Sequence, residues 1–273
     1  MTEAYVGERF RVNREGNGRK SILLLPGLGC GPWIYGNLSS TLSREFSVYS
    51  GSIPGFDGAA PGSSDLVSEV ISALGLIVER ERLSQPAIVA HSIGGAIAIA
   101  AISRWPGLFG SAVIVDAAPR MPGSGETLDQ RLEANRDFAE KVFGESSFKD
   151  SNSAARKWVS QMVFSEANVD QILASWERSD RQTLKNFLVD GRMLAFNLDI
   201  DNIDCPVCVV APFDSATDRE TVAQEFADAY RRKPNFEIEL VGPARHFVML
   251  DQPERFIEIV RTFLSRVPGP GGE

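Results

Sequence analysis

The chain has 273 residues, with 28 Lys plus Arg against 36 Asp plus Glu and a formal net charge of −8. Hydrophobic residues make up 43% and charged residues 23%, ordinary globular usage that excludes disordered and fibrous classes. The acidic balance, without a Lys/Arg cluster the size of a groove, argues against nucleic acid as a partner.

The N-terminal octet Met1-Thr2-Glu3-Ala4-Tyr5-Val6-Gly7-Glu8 has neither the basic start nor the apolar stretch of a secretion signal. Three cysteines, an odd count and few for the length, build no disulfide framework, so a cytoplasmic location is expected. Two histidines do not suffice for a multi-histidine metal site. Ser21-Ile22-Leu23-Leu24-Leu25 is continuously apolar and stops at Pro26-Gly27, the pattern of a strand covered on both faces. The runs at 87–90, 112–115 and 207–210 have the same character and predict adjacent central strands, whereas 236–240 alternates and predicts a strand nearer the sheet edge. Helical patterning occupies 65–82, 93–104, 219–232 and 253–267. The alternation of strands with helices predicts a mostly parallel central sheet flanked by helices, an α/β fold. The apolar run 93–102, broken by Gly94 and Gly95, falls well short of a bilayer span and reads as a buried helix.

From 119 to 197 the rhythm breaks. Leu128, Leu132, Phe138, Ala139 and Val142 follow helical spacing, and further helices are predicted at 154–164, 169–177 and 181–194. The expected division is therefore a core over 1–118, an inserted helical cap over 119–197, a second core segment over 198–267 and a disordered tail over 268–273. Met121-Pro122-Gly123-Ser124-Gly125 would form the flexible entrance to the insertion.

Ala90-His91-Ser92-Ile93-Gly94-Gly95 joins a short apolar strand to an Ala/Ile-rich helix, the place of a nucleophile elbow. That sharp turn requires small residues two places before and after the serine, and Ala90 and Gly94 satisfy it. A serine hydroxyl needs a nearby base, for which imidazole is best matched. His91 adjoins the serine, and its side chain should point away from the attack face, which leaves His246 as the base.

On this elbow the sequence resembles the α/β-hydrolase superfamily, over nearly the whole chain. The resemblance implies the order serine, acid, histidine, which Ser92, Asp214 and His246 supply. Cys208-Val209-Val210-Ala211-Pro212-Phe213-Asp214 resembles the strand and turn that carry the acid, although Asp116 also ends an apparent strand where some relatives place theirs, and Asp218 lies only four residues beyond Asp214. For the oxyanion the resemblance implies the amides of Ile93 and of Leu28, the latter in Pro26-Gly27-Leu28-Gly29-Cys30-Gly31-Pro32-Trp33. Pro26-Gly27 replaces the superfamily's usual His-Gly there, and Ala90 replaces the elbow's usual first glycine. Gly27, Gly29 and Gly31 do not complete a dinucleotide fingerprint, and no lysine sits where a P-loop needs one. Cys205-Pro206-Val207-Cys208 enters a buried strand instead of opening a helix, so its thiols read as core, not redox, residues.

Cys30, Trp33, Met162 and Phe187 are expected to line the substrate pocket. Trp158, Phe164, Trp176 and Met193 are expected mostly to pack the cap, with a subset facing the cleft. The expectation is a cofactor-free and metal-free serine hydrolase acting on small or medium apolar carboxylic esters, without nucleic-acid or membrane partners. The same residues would serve a thioesterase, an acyltransferase or a C–C bond hydrolase, or a binding protein that keeps the fold without turnover.

Overall fold

The strongest local signals in the chain are four apolar runs, and in the computed structural model they form one contiguous stack of parallel strands. The structure describes residues 2–6, 10–119, 127–145, 153–196, 198–214, 219–231 and 236–267. Its first three strands in sequence are β1 (Thr2–Val6), β2 (Phe10–Glu15) and β3 (Ser21–Leu25). A 3-10 turn (Pro32–Tyr35) and helix α1 (Gly36–Leu42) lead to β4 (Ser47–Ser52). Then come α2 (Leu66–Arg80), β5 (Ala87–His91), α3 (Ile93–Arg104) and β6 (Ser111–Val115). Four helices follow without an intervening described strand: α4 (Leu128–Phe143), α5 (Ala154–Ser160), α6 (Glu166–Arg178) and α7 (Arg181–Phe196). The chain closes with β7 (Val207–Pro212), α8 (Arg219–Tyr230), β8 (Phe236–Val241), α9 (Val248–Asp251) and α10 (Pro253–Arg266).

The sheet has the order β1-β2-β4-β3-β5-β6-β7-β8. β1 and β2 pair antiparallel, as do β2 and β4, and every pairing from β4 to β8 is parallel. All residues of β5 and β6 are buried, which a strand achieves only when both faces are covered. β8 lies at one edge of the sheet, as expected, but its burial does not alternate: Phe236 to Leu240 are all half-buried and Val241 is buried. α3, the glycine-broken apolar run, lies almost wholly inside the core. Among the described residues no helix is long and apolar enough to cross a membrane.

β2 and β4 lack the continuous apolar run of their neighbours, and neither is predicted from the sequence. β4 (SVYSGS) is five-sixths buried although half of it is serine. Ser47 Oγ answers that burial by donating to the Gly18 carbonyl (2.9 Å) and accepting from Arg14 on β2 (3.3 Å). Of β2, Phe10 and Val12 enter the core.

The strand order places the functional crevice. From β3 the chain moves outward to β4, then returns to lay β5 on the other side of β3. Open α/β sheets bind ligands at the carboxyl ends of the strands beside such a reversal. The loop after β3 and the turn after β5 both emerge there. α7 packs on α2 and α3, bringing the four-helix segment to the same end of the molecule. The proposed entrance glycines Gly123 and Gly125, the alternative acid Asp218 and the tail 268–273 lie outside the described residues.

Candidate active site

Ser92 follows the last residue of β5 and caps the N-terminus of α3 with φ 56° and ψ −126°. A left-handed conformation at a residue with a side chain costs roughly 1–3 kcal/mol and persists only where the surroundings enforce it. Here the Ser92 N–H donates to the Val115 carbonyl (2.9 Å), and the Ser92 carbonyl accepts from Ala96 N–H (3.1 Å). Gly94 packs so closely that a Cβ there would collide with the Pro26 carbonyl, and a Cβ on Gly27 would come within 2.8 Å of His91 Nδ1. Gly94 is thus held small by backbone contact, and Gly27 on the neighbouring loop by the His91 ring.

His246 lies in the loop between β8 and α9. Its Nε2 is 2.9 Å from Ser92 Oγ, and its Nδ1 is 2.5 Å from Asp116 Oδ2. Protonated at Nδ1, the imidazole donates to the carboxylate and leaves Nε2 free to accept the serine proton. Asp116 directly follows β6 in a left-handed conformation (φ 43°), its N–H donating to the Val210 carbonyl (2.9 Å). Tyr230, buried on α8, donates its hydroxyl to the Ala117 carbonyl (2.8 Å) and holds the turn that follows. Burial pushes the Tyr230 phenol well above its ordinary range, so it stays a donor.

Asp214, expected from the sequence to be the acid, is placed elsewhere. Its Oδ2 faces Arg245 Nε (3.4 Å), the residue before the histidine. β7 runs on to Pro212 and Phe213 N–H still bonds the Val241 carbonyl, so the aspartate leaves the sheet toward Arg245. The acid that reaches the imidazole is Asp116, one strand from the nucleophile.

His91 is fully buried beneath the site. Its Nε2–H donates to the His246 carbonyl (2.9 Å), and its ring centroid lies 4.5 Å from that of His246. Burial, reinforced by the neighbouring imidazole, holds its pKa well below the ordinary histidine value, so the ring is neutral. It backs the candidate base instead of approaching Ser92.

A cavity of about 310 Å³ opens above Ser92; Met162, one of the four residues expected in the pocket, lines it, as do Leu28 and Ile93, whose amides are the candidate oxyanion donors. Three other expected residues do not. Cys30 is fully buried in the core, where desolvation pushes its thiol pKa far up. Trp33 turns to α6, donating from its indole to Ser175 Oγ (3.4 Å), and lies in a separate depression with Met249. Phe187 is buried edge-to-face on Phe56 at 4.9 Å. Helical spacing predicted that residues of this segment are apolar and inward, but not whether inward meant cavity or core.

Among the cavity residues that the sequence reading did not select, Leu188, Gly191, Arg192 and Ala195 come from α7. Their spacing of i, i+3, i+4, i+7 is one helix face, so an arginine among small and apolar residues was a readable signal. Trp158 and Trp176 are the cleft-facing subset of the segment's large residues, together with Met162. Trp176 does more than line the wall: its indole donates to the Leu28 carbonyl (3.0 Å), and Ser175 Oγ donates to the Gly29 carbonyl (2.8 Å), which fixes the loop bearing the candidate oxyanion amide.

A family model described as the alpha/beta hydrolase family matches residues 22–259. No curated protein matches the chain at a comparable level. Among solved structures the chain is similar to a thermophilic esterase from Thermogutta terrifontis, at 18% identity over 97% of each chain with a TM-score of 0.74. It is similar to the enol-lactonase from Burkholderia xenovorans LB400, at 16% identity over 97% of this chain and 100% of that one, TM-score 0.74. A mutant epoxide hydrolase from Bacillus megaterium matches at 15% identity over 97% and 100%, TM-score 0.75. Identities this low carry the fold and not the reaction.

Proposed function

The chain belongs to the alpha/beta hydrolase family, and from that premise we propose that it is a serine hydrolase cleaving carboxylic esters through Ser92, His246 and Asp116. The observation that carries the reading is a single imidazole bonded at one nitrogen to a strained serine and at the other to a carboxylate.

In the proposed reaction Ser92 Oγ attacks the ester carbonyl carbon as its proton passes to His246 Nε2. Asp116 keeps Nδ1–H in place and offsets the imidazolium charge. The carbonyl π pair moves onto oxygen, which the amides of Leu28 and Ile93 receive. The Ile93 amide opens α3, where the first N–H groups have no intrahelical acceptor. Collapse expels the alcohol, which takes the proton from Nε2. Water then attacks the acyl-serine by the same route, releasing the acid and restoring Ser92.

The four helices between β6 and β7 serve as a cap in this reading, and their apolar cavity wall favours an apolar acyl or alcohol part. Similarity to an epoxide hydrolase does not extend to the nucleophile position, since a serine stands at 92 and an aspartate is what epoxide opening by that fold requires. Thioester, acyl-transfer and C–C cleavage chemistries remain the alternatives on the same three residues.

A fluorophosphonate probe tests the first step: it should label Ser92, and labelling should vanish in Ser92→Ala. A panel of p-nitrophenyl esters tests the second. A folded protein whose Ser92 neither labels nor turns over any ester is a binding protein and overturns the reading.

A further inference from the structure

Arg192 is the one cation lining the cavity above Ser92 among the described residues. It occupies the cavity-facing stripe of α7 between Gly191 and Ala195, where a neutral residue would complete the apolar wall at no desolvation cost. Burial lowers its pKa from the ordinary arginine value, the mark of a charge held partly out of water. Such a guanidinium is normally matched by a carboxylate. Among the described residues its hydrogen-bond partner is instead a neutral amide oxygen, Asn135 Oδ1 (3.2 Å from Nη1), and its faces meet the rings of Phe138 (4.6 Å) and Trp158 (5.9 Å).

No carboxylate is paired with Arg192 among the described residues, and burial is the one influence on its charge. Asp116 faces His246, Glu140 of α4 pairs with Lys185, and Asp190 on the same helix faces Arg136 and Asp65. Ring contacts cover the faces of a guanidinium, whereas its N–H donors lie in the plane. One of its five donors is taken by Asn135, and among the described residues the other four have no hydrogen-bond partner on a side chain that lines the cavity.

We propose that the substrate carries a free carboxylate on its acyl or alcohol part and that Arg192 receives it, which makes the preferred ester a half-ester of a dicarboxylic acid or an ester of a hydroxy acid. The proposal rests on the hydrolase reading of Ser92. A planar carboxylate fits a guanidinium edge by two parallel bonds, while a phosphate dianion would want a second cation that this wall does not offer. Aromatic stacking and Asn135 hold the fork in one orientation before the ligand arrives, so the substrate position follows from side chains already fixed.

Mono-p-nitrophenyl glutarate, adipate and suberate, each assayed beside its methyl ester, test this without any variant. The acid form should exceed its methyl ester in kcat/KM by about 10- to 100-fold at the chain length that spans the cavity, the size of one charge-assisted contact. In Arg192→Gln that preference should disappear, chiefly through KM, while the methyl esters keep their rates within a few-fold. Arg192→Lys, which keeps the charge without the fork, should recover part of it. A wild-type protein that favours the methyl ester at every length overturns the proposal, as does an Arg192→Gln protein, folded by circular dichroism, that loses both substrates equally.

If Ser92 proves unreactive, the hydrolase reading falls separately. Binding of monomethyl adipate, followed by the fluorescence of Trp158 and Trp176, still reads the Arg192 contact: tight binding lost in Arg192→Gln supports it, and indifference to the substitution overturns it.

Discussion

At the scale of single residues, the proposed reaction turns on which of two aspartates after neighbouring strands meets the imidazole, and Asp116 is the one in contact with it. Asp116→Asn should leave a folded protein whose imidazole holds the wrong tautomer, with kcat for ester hydrolysis lowered by roughly 10³–10⁴-fold. Asp214→Asn should cost no more than a few-fold, since that carboxylate faces Arg245 and acts on the histidine loop at one remove. A reversal of these two rates, measured on one p-nitrophenyl ester, would return the acid to β7. His91 offers a second residue-scale expectation. Its folded pKa lies below the unfolded value of about 6.5, so on acidification the unfolded chain takes up a proton that the folded chain refuses. Its contribution is therefore intact above pH 6.5 and is lost as pH falls below it, by at most about 1.4 kcal/mol per pH unit. His91→Gln retains a donor for the His246 carbonyl but does not titrate. Urea midpoints taken between pH 7 and pH 5 should fall less steeply for this variant than for the wild type.

At the scale of elements, the four-helix segment and the sheet are joined at the places where the site is built. Arg245, beside the candidate base, donates to the Ser160 carbonyl (2.8 Å) at the end of α5, and Phe247 N–H donates to the Met162 carbonyl (3.1 Å). Asp251 returns the contact by accepting from Phe164 N–H (3.0 Å) and Arg245 N–H (2.9 Å). On the other side, the end of α6 is fixed through Arg178, bonded to Asp57, and through Asp180 N–H to the Gly55 carbonyl (2.8 Å). Trp176 is the link with the clearest kinetic consequence. Trp176→Phe removes the donor to the Leu28 carbonyl while keeping most of the ring, so kcat should fall about 10-fold with KM little changed, the expected signature of a loosened oxyanion loop. Met162 and Phe187 separate two roles within the same segment. Met162→Ala should shift the acyl-length preference of ester hydrolysis, because its side chain borders the cavity. Phe187→Ala should leave that preference alone and destabilise the protein by about 3–5 kcal/mol, read from its denaturant midpoint, because its ring fills the core against Phe56.

At the scale of the whole molecule, the same links predict cooperative unfolding. Trp158 and Trp176 meet Phe143 edge-on in the helical segment, while Trp33 and Trp105 belong to the core segment before it. In a Trp33→Phe, Trp105→Phe background, the fluorescence transition of the segment should coincide with the circular-dichroism transition of the whole chain. Separated transitions would mean that the segment opens by itself.

The parallel centre of the sheet was legible in the chain alone, because β3, β5, β6 and β7 are buried on both faces and so cannot carry polar residues in alternation. The turn at Ser92 was legible too, because a strained junction of strand and helix admits few residue types around it. His246 was the expected base because the other histidine adjoins the serine, and it is the ring that lies beside Ser92. β2 and β4 were not legible: their burial depends on neighbours and on hydrogen bonds to Ser47 and Ser50-bearing backbone that no local pattern announces. Asp116 and Asp214 both follow apolar strands, and their sequence surroundings are alike. What separates them is a backbone turn at Asp116 and a guanidinium beside Asp214, and both arise from contacts between elements far apart in the chain. The cavity wall was decided in the same way. An apolar helix face states that a residue leaves water, but only the packing of α7 on α2 and α3 settles which of its residues meet the core and which, Arg192 among them, meet the space over Ser92.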